Sequence, residues 1–112
     1  MLFAYKSILF RFSLNNETIM LKKYLEYAQN YSLNKQEKIV VEFNKDYFAI
    51  KAVDGTFIKK HPLPRKISIN GKNVIFTKNL TPSKGQTIIV NLGKKQKTIT
   101  IDPSTGRIKI YK

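Results

Sequence analysis

The closing segment of the chain, residues 85–112, holds three apolar runs separated by short polar stretches. The runs are residues 87–92, 98–101 and 107–111, and the stretches between them contain Gly93 and the sequence Asp102-Pro103. Runs rich in β-branched residues with Gly, Pro and Asp between them are typical of strands joined by turns. The segment therefore predicts a three-stranded antiparallel meander.

The last two of these runs alternate regularly between apolar and polar residues. One parity is apolar and consists of Ile99, Ile101, Ile108 and Ile110. The other is basic and hydroxyl-bearing and consists of Thr98, Thr100, Arg107, Lys109 and Tyr111. Successive side chains of a strand point to opposite faces, so one face of the sheet is predicted to be buried and the other exposed. A sheet cannot bury its apolar face alone, so another element must cover it.

An amphipathic helix from residue 14 to about residue 33 is the candidate for that cover. Its buried stripe is predicted from spacings of four and three residues. The members of the stripe are Leu14, Thr18, Leu21, Leu25, Ala28 and Ser32. Asn15 or Asn16 could cap a helix start, but the apolar run before them favours one continuous helix that begins near Phe3.

Five further strands are predicted between the helix and the meander. They are residues 38–43, 46–52, 56–61, 66–69 and 73–77, and the last two are expected to pair as a hairpin across Asn70-Gly71-Lys72. The predicted fold class is α+β, with an N-terminal amphipathic helix packed on an antiparallel β-sheet of short strands. Its predicted inward residues are Val40, Ile75, Ile88, Val90, Ile99, Ile101, Ile108 and Ile110. We expect a single domain over residues 14–112, preceded by an apolar segment over residues 1–13.

The positive charge of the chain is concentrated in its second half. The net charge is +14. Residues 1–54 hold eight Lys/Arg and six Asp/Glu, whereas residues 55–112 hold thirteen Lys/Arg and Asp102 as the one acid. Such a field favours polyanions, including nucleic acid, although a solvated lysine face without a partner is an equal alternative. The candidate DNA-binding residues are Lys94, Lys95, Lys97, Arg107, Lys109 and Lys112.

The residues needed for catalysis or metal binding are sparse. The chain has no cysteine and one histidine, His61, which is expected to be exposed and incidental. Its seven carboxylates are scattered, and its Gly-Lys sequences lack the remaining residues of a phosphate-binding loop. We therefore predict a protein without enzymatic activity, cofactor, metal or small-molecule substrate.

The first twelve residues are apolar, but Lys6 and Arg11 interrupt them. They are too short to cross a membrane, which takes about 20 apolar residues. We expect this segment to pack against other helices or lipid rather than against the core of its own domain. Its candidate assembly residues are Leu2, Phe3, Ile8, Leu9 and Phe10.

Several short segments together carry a resemblance to a known family. They are Leu25-Glu26-Tyr27-Ala28-Gln29, Lys38-Ile39-Val40-Val41-Glu42-Phe43, Leu63-Pro64, Val74-Ile75-Phe76, Gly85-Gln86-Thr87-Ile88 and Gly106-Arg107-Ile108-Lys109-Ile110. Over about residues 14–112 the chain resembles the globular half of a minor type IV pseudopilin. Within that family it is most similar to the competence pseudopilins of Gram-positive bacteria and to the H-type minor pseudopilins of type II secretion.

This resemblance implies a subunit of a competence pilus that acts in DNA uptake, with other pseudopilins as partners. It also implies a place at the cell surface or in the cell envelope, with a membrane anchor before assembly. The basic leader and processing site of the family are not present, so residues 1–12 are expected to be the end of a longer helix. The alternatives are a type II secretion pseudopilin or a free basic β-domain that binds nucleic acid. Some DNA-binding minor pilins carry Gly-Arg-x-Arg near their C-terminus, and Gly106-Arg107-Ile108-Lys109 is similar.

Overall fold

One long helix is the spine of the fold. The computed structural model describes residues 2–64, 66–77, 86–102 and 105–111, and for residues 2–13 it describes the backbone alone. Helix α1 runs without interruption over Leu2–Lys35, as predicted, and its 34 residues correspond to about 51 Å. The molecule measures 52 × 28 × 19 Å, so the helix accounts for its long dimension. In the part of the chain that is described, no helix is long and apolar enough to cross a membrane.

The predicted stripe of α1 is the face that packs on the strands, and all six of its residues are buried. Its two polar members are satisfied by hydrogen bonds. The Thr18 hydroxyl donates to the Leu14 carbonyl at 2.7 Å. The Ser32 hydroxyl lies 2.5 Å from the Glu37 carbonyl oxygen and 3.2 Å from that of Phe76, so it ties the helix end to a strand. Buried hydroxyl groups with such partners are tolerated in a core.

The chain leaves α1 through a left-handed residue. Gln36 has a φ of 56°, and the Glu37 amide donates to the Ser32 carbonyl at 3.2 Å. This is the hydrogen bond of a Schellman motif, which ends a helix sharply. It directs the chain back along the helix into the first strand.

Over the residues that the structure describes, eight antiparallel strands form two sheets of four. Their bounds are β1 Ile39–Phe43, β2 Tyr47–Ala52, β3 Phe57–Pro62, β4 Ile67–Asn70, β5 Val74–Phe76, β6 Gln86–Leu92, β7 Lys95–Ile101 and β8 Ile108–Tyr111. Sheet A has the order β3-β2-β1-β5, and sheet B has the order β4-β6-β7-β8. The predicted class, a helix on antiparallel β-structure, is confirmed, although the strands divide between two sheets.

The predicted hairpin between residues 66–69 and 73–77 is wrong. Strand β4 pairs with β6 in sheet B, whereas β5 pairs with β1 in sheet A. The connection through Gly71 is therefore a passage from one sheet to the other. A Cβ at Gly71 would lie 3.3 Å from the Ile88 side chain, so the glycine permits a close approach there.

The closing meander is confirmed as β6, β7 and β8 of sheet B. Its apolar parity faces α1, as predicted. The buried members are Ile88, Val90, Ile99, Ile101 and Ile108, and Ile110 packs against them while partly exposed.

Two predicted inward residues, Val40 and Ile75, lie on the opposite face of sheet A. They are register partners and are half-buried, while their neighbours Ile39, Val41 and Phe76 are fully buried. A shift of one residue moves a side chain to the other face. The runs Ile39-Val40-Val41 and Val74-Ile75-Phe76 are apolar throughout, so alternation could not indicate which parity is inward.

The shared core allows a direct test by truncation. Leu25 and Ile99 have no exposed surface, so Leu25→Ala and Ile99→Ala should each lower the free energy of unfolding by about 2–5 kcal/mol. Denaturant unfolding monitored by circular dichroism measures this change. Ile19→Ala on the exposed side of the same helix is the control and should change it by less than about 0.5 kcal/mol. Equal effects of all three substitutions would contradict the arrangement.

Candidate nucleic-acid interface

The outer face of sheet B, which points away from α1, is polar and carries rows of hydroxyl and basic side chains. One row across the strands is Thr87, Thr100 and Lys109, and the next is Ile89, Thr98 and Tyr111. Lys109 and Tyr111 are exposed. The predicted outward parity of the closing strands is therefore confirmed.

Arg107 lies at the end of this face, at the base of a tight turn. The Asp102 amide donates to the Arg107 carbonyl at 2.9 Å, and the Gly106 amide donates to the Asp102 carbonyl at 2.8 Å. Gly106 has a φ of 73°, a conformation that favours glycine. The amide of Thr105 donates to an Asp102 carboxylate oxygen at 3.3 Å. These bonds hold the backbone beside Arg107 in one conformation.

The same turn is attached to the helix. The Gln29 side chain donates from Nε2 to the Gly106 carbonyl at 2.7 Å, although the two residues are 77 positions apart. Gly106 is itself buried. The Arg107 backbone is thus bonded to Asp102 at the end of β7, and the residue before it is bonded to α1.

Two open grooves meet at Arg107. The first, of about 520 Å³, lies on the outer face of sheet B and is lined by Thr100, Ile101, Asp102, Thr105, Arg107, Lys109 and Tyr111. The second, of about 600 Å³, lies between the helix and β8 and is lined by Lys22, Glu26, Gln29, Asn30, Thr105, Gly106, Arg107 and Ile108. Each groove also contains one carboxylate, so neither is purely basic.

The candidate lysines of the β6–β7 hairpin do not lie beside Arg107 and Lys109. They are near the opposite end of β7, and six residues of strand correspond to about 20 Å. Lys95 and Lys97 also share the inward parity, because their partners are Leu92 and Val90. Lys94 occupies the two-residue turn after Gly93, whose φ is 61°. The six candidate residues therefore do not form one site, because Lys95 pairs with Leu92 at the start of β7 whereas Lys109 pairs with Thr100 near its end. Lys112 lies outside the described residues.

Sheet A carries a cluster that sequence analysis did not identify. On its outer face, Glu42, Tyr47, Lys51, Phe57 and Lys60 form what we call the aromatic–lysine cluster. Lys51 Nζ lies 2.9 Å from a Glu42 carboxylate oxygen, and the Tyr47 hydroxyl donates to that oxygen at 3.2 Å. The residues come from three strands, so no local spacing in the sequence could have revealed them.

The rings of this cluster are covered by ammonium groups. The Tyr47 and Phe57 ring centroids are 6.1 Å apart. Lys60 Nζ lies 4.3 Å from the Tyr47 centroid and 5.3 Å from that of Phe57, and Lys51 Nζ lies 4.4 Å from the Phe57 centroid. Ala49 shares this face and is fully buried under its neighbours.

His61 is neither exposed nor incidental, contrary to the prediction. Its Nε2 lies 2.8 Å from Glu17 Oε2 on the helix, and its ring centroid lies 4.8 Å from that of Phe48. The Tyr24 ring packs edge-on against that of Phe48, with 5.0 Å between their centroids. Burial raises the pKa of Tyr24. The histidine thus joins β3 to α1 across 44 residues of sequence.

Solved structures with the same fold are known. Two crystal structures of the type IV minor pilin FimU from Pseudomonas aeruginosa superpose on this chain. In the space group P65 form, the TM-score is 0.74 with 19% identity, covering 88% of this chain and 93% of that one. In the P21 form, the TM-score is 0.77 with 20% identity, and the match covers 91% of this chain and 90% of that one. The chain has the fold of a type IV minor pilin. No protein-family model and no curated protein matches this pilin-like chain by sequence.

The ion pair in the aromatic–lysine cluster makes stability depend on pH. Hydrogen bonding to Lys51 lowers the pKa of Glu42, and hydrogen bonding to Glu42 raises the pKa of Lys51. A lowered carboxyl pKa stabilises the fold above the usual glutamate range, and a raised ammonium pKa stabilises it below the usual lysine range. The contribution of the pair should therefore be complete between about pH 5 and pH 10. It should be lost gradually as pH falls through the lowered pKa of Glu42 or rises through the raised pKa of Lys51.

Thermal melts of the parent chain and of Glu42→Gln, measured inside this pH window and on either side of it, test the expectation. The parent should be the more stable in the middle of the window, and the two curves should converge at acid pH, where the carboxylate is protonated. Asp54→Asn is the comparison on the neighbouring turn, since hydrogen bonding to the Thr56 amide, rather than to a lysine, lowers the pKa of Asp54. Its difference from the parent should also close in acid but should not change at alkaline pH, where only the Glu42 pair loses the charge of Lys51. A difference between parent and Glu42→Gln that persists unchanged in acid would show that the ion pair is not its cause.

Proposed function

We propose that this chain is a non-enzymatic minor pseudopilin subunit that joins a short competence pilus through α1 and binds DNA on the outer face of sheet B. The pilin fold supports a role as a subunit that assembles with other pilins. The observation that carries the proposal further is the exposed side of the helix. Three of the large apolar side chains on this side are exposed to solvent.

The apolar side chains in question are Ile19, Met20 and Tyr27, which are 46%, 36% and 40% exposed. At 100° per residue, they fall within an arc of about 100° on the side opposite the buried stripe. Exposed apolar residues gathered on one face are typical of an interaction site. We infer that this face contacts other subunits in the assembled pilus, the same role that is expected for Leu2, Phe3, Ile8, Leu9 and Phe10.

The DNA-binding part of the proposal depends on Arg107 and Lys109. Both are exposed on one face, and the backbone beside Arg107 is hydrogen-bonded to Asp102 at the end of β7 and to Gln29 on α1. Rigid placement lowers the ordering cost of binding, and lysine and arginine contacts to phosphate position a duplex without reading its sequence. Lys109 lacks the bidentate fork of arginine, so its contact should be weaker than an arginine contact.

Two experiments on the helix test assembly. One measures folding, and the other measures transformation. Deletion of residues 1–12 should leave the cooperative thermal unfolding of the domain intact and raise its solubility, because the six stripe residues that pack on the strands all lie in residues 14–32. In the source organism, deletion of the gene should lower transformation frequency. The parent gene should restore it, whereas Ile19→Asp/Met20→Asp should not.

Three outcomes of these experiments would redirect the proposal. Loss of folding on deletion of residues 1–12 would show that they belong to the core. A defect in protein export with normal transformation would favour a type II secretion pseudopilin. A reading of the DNA upstream of the Met1 codon is the simplest further test, because an in-frame leader with a processing site supports membrane anchoring before assembly. Neither defect, with no such leader, would favour a free basic domain.

DNA binding is tested by salt dependence. Affinity for duplex DNA should fall with salt at a log–log slope of about −0.9 per phosphate contact. Arg107→Gln/Lys109→Gln should reduce the magnitude of that slope by about 2 units, one for each lost contact. Fluorescence anisotropy with a labelled duplex at several salt concentrations gives the slopes.

The control changes the net charge by the same amount at another place. Lys23→Gln/Lys35→Gln removes two exposed helix lysines outside both grooves, whereas Lys22 lines one of them. This control should alter the slope much less. If both double variants change it equally, the binding is diffuse and the assignment to Arg107 and Lys109 is wrong.

A further inference from the structure

The outer face of sheet A presents an aromatic ring to solvent in a setting that packing does not require. Phe57 is 46% exposed, at the start of edge strand β3. It shares the face with Tyr47, whose ring is held by the hydroxyl bond to Glu42 and by the Lys60 ammonium. The two rings and two lysines enclose a small surface around Ala49.

The charges of this cluster are unevenly engaged. Glu42 lies 2.9 Å from Lys51 and offsets its charge. Lys60 has no ion pair among the described residues, and its ammonium lies over the Tyr47 and Phe57 rings instead. A cation over an exposed ring is held weakly, because water competes for it. Lys60 can therefore leave the rings for a stronger anionic partner.

Single-stranded nucleic acid has both groups that this surface could bind, unpaired bases and phosphates. Its bases can stack on the ring faces that the ammonium groups now cover. Its phosphates can then bind the displaced lysine ammonium groups. A duplex cannot make the same exchange, because its bases are already stacked inside. A purely anionic polymer could take the lysines but would leave the rings exposed.

We propose that the aromatic–lysine cluster is a platform for single-stranded nucleic acid, with Phe57 as the stacking residue and Lys60 as the principal phosphate contact. Glu42 limits the affinity, because it repels phosphate and engages Lys51. The platform is on a different sheet from Arg107 and Lys109. It therefore does not depend on the proposed function, and the two can succeed or fail separately.

The test measures binding of the full chain to a labelled oligothymidylate of about 12 nucleotides, by fluorescence anisotropy at several salt concentrations. Phe57→Ala should weaken binding about tenfold and leave the salt slope unchanged, because stacking releases no counterions. Lys60→Gln should instead reduce the slope by about 0.7, the value for one phosphate contact on a single strand. Glu42→Gln should tighten binding and steepen the slope by a similar amount.

Matched variants locate the effect. Tyr111→Ala removes a ring of similar exposure, 49%, from the outer face of sheet B and should leave binding to the single strand unchanged. Phe57→Trp should retain binding. Phe57→Leu keeps apolar bulk without an aromatic face and should behave as Phe57→Ala, and it replaces that variant if the latter does not fold. Binding should persist in Arg107→Gln/Lys109→Gln, whatever that variant does to duplex binding.

Any of three results would overturn the proposal. Unchanged affinity in both Phe57→Ala and Phe57→Leu excludes stacking at this site. Inorganic polyphosphate of equal charge that competes as well as the oligonucleotide shows that charge alone accounts for binding. A larger loss in Tyr111→Ala than in Phe57→Ala assigns the single strand to sheet B.

Discussion

The fold depends on one stripe of side chains on α1. Leu14, Leu21, Leu25 and Ala28 belong to the same core cluster as residues of both sheets, so neither sheet has an apolar core of its own. A four-stranded sheet with one exposed apolar face is unstable in water, and the two sheets here share a single cover. Disruption of the helix therefore removes the core of both sheets together. The polar stripe members Thr18 and Ser32 are accommodated because each hydroxyl has a backbone acceptor.

The sequence was most informative where polar and apolar residues alternate strictly. The Thr/Ile alternation of β7 and β8 predicted both the strands and the buried face, because only one register buries the isoleucines. The same reasoning failed for Val40 and Ile75, which lie in uninterrupted apolar runs that carry no information on parity. It also failed at Gly71, since a glycine between two short strands permits a passage between sheets as readily as a hairpin.

The candidate site, too, could be predicted from the sequence only in part. The outward position of Arg107 and Lys109 followed from alternation. Contacts between distant residues, such as Glu17 with His61 or Gln29 with Gly106, depend on how the helix lies across the strands, and no local pattern determines that. The aromatic–lysine cluster depends in addition on the register shift between Ile50 and Lys51, which sets where Phe57 falls on the outer face. Such irregularities arise from packing rather than from sequence period.

The bond from Gln29 to the Gly106 carbonyl has a mechanical consequence. It connects the turn before Arg107 to the C-terminal part of a helix about 51 Å long, six residues before the helix ends. Both bonded residues, Gln29 and Gly106, line the groove between the helix and β8. A contact that the helix makes with another subunit and a contact that Arg107 makes with a ligand would therefore act on the two ends of one hydrogen bond.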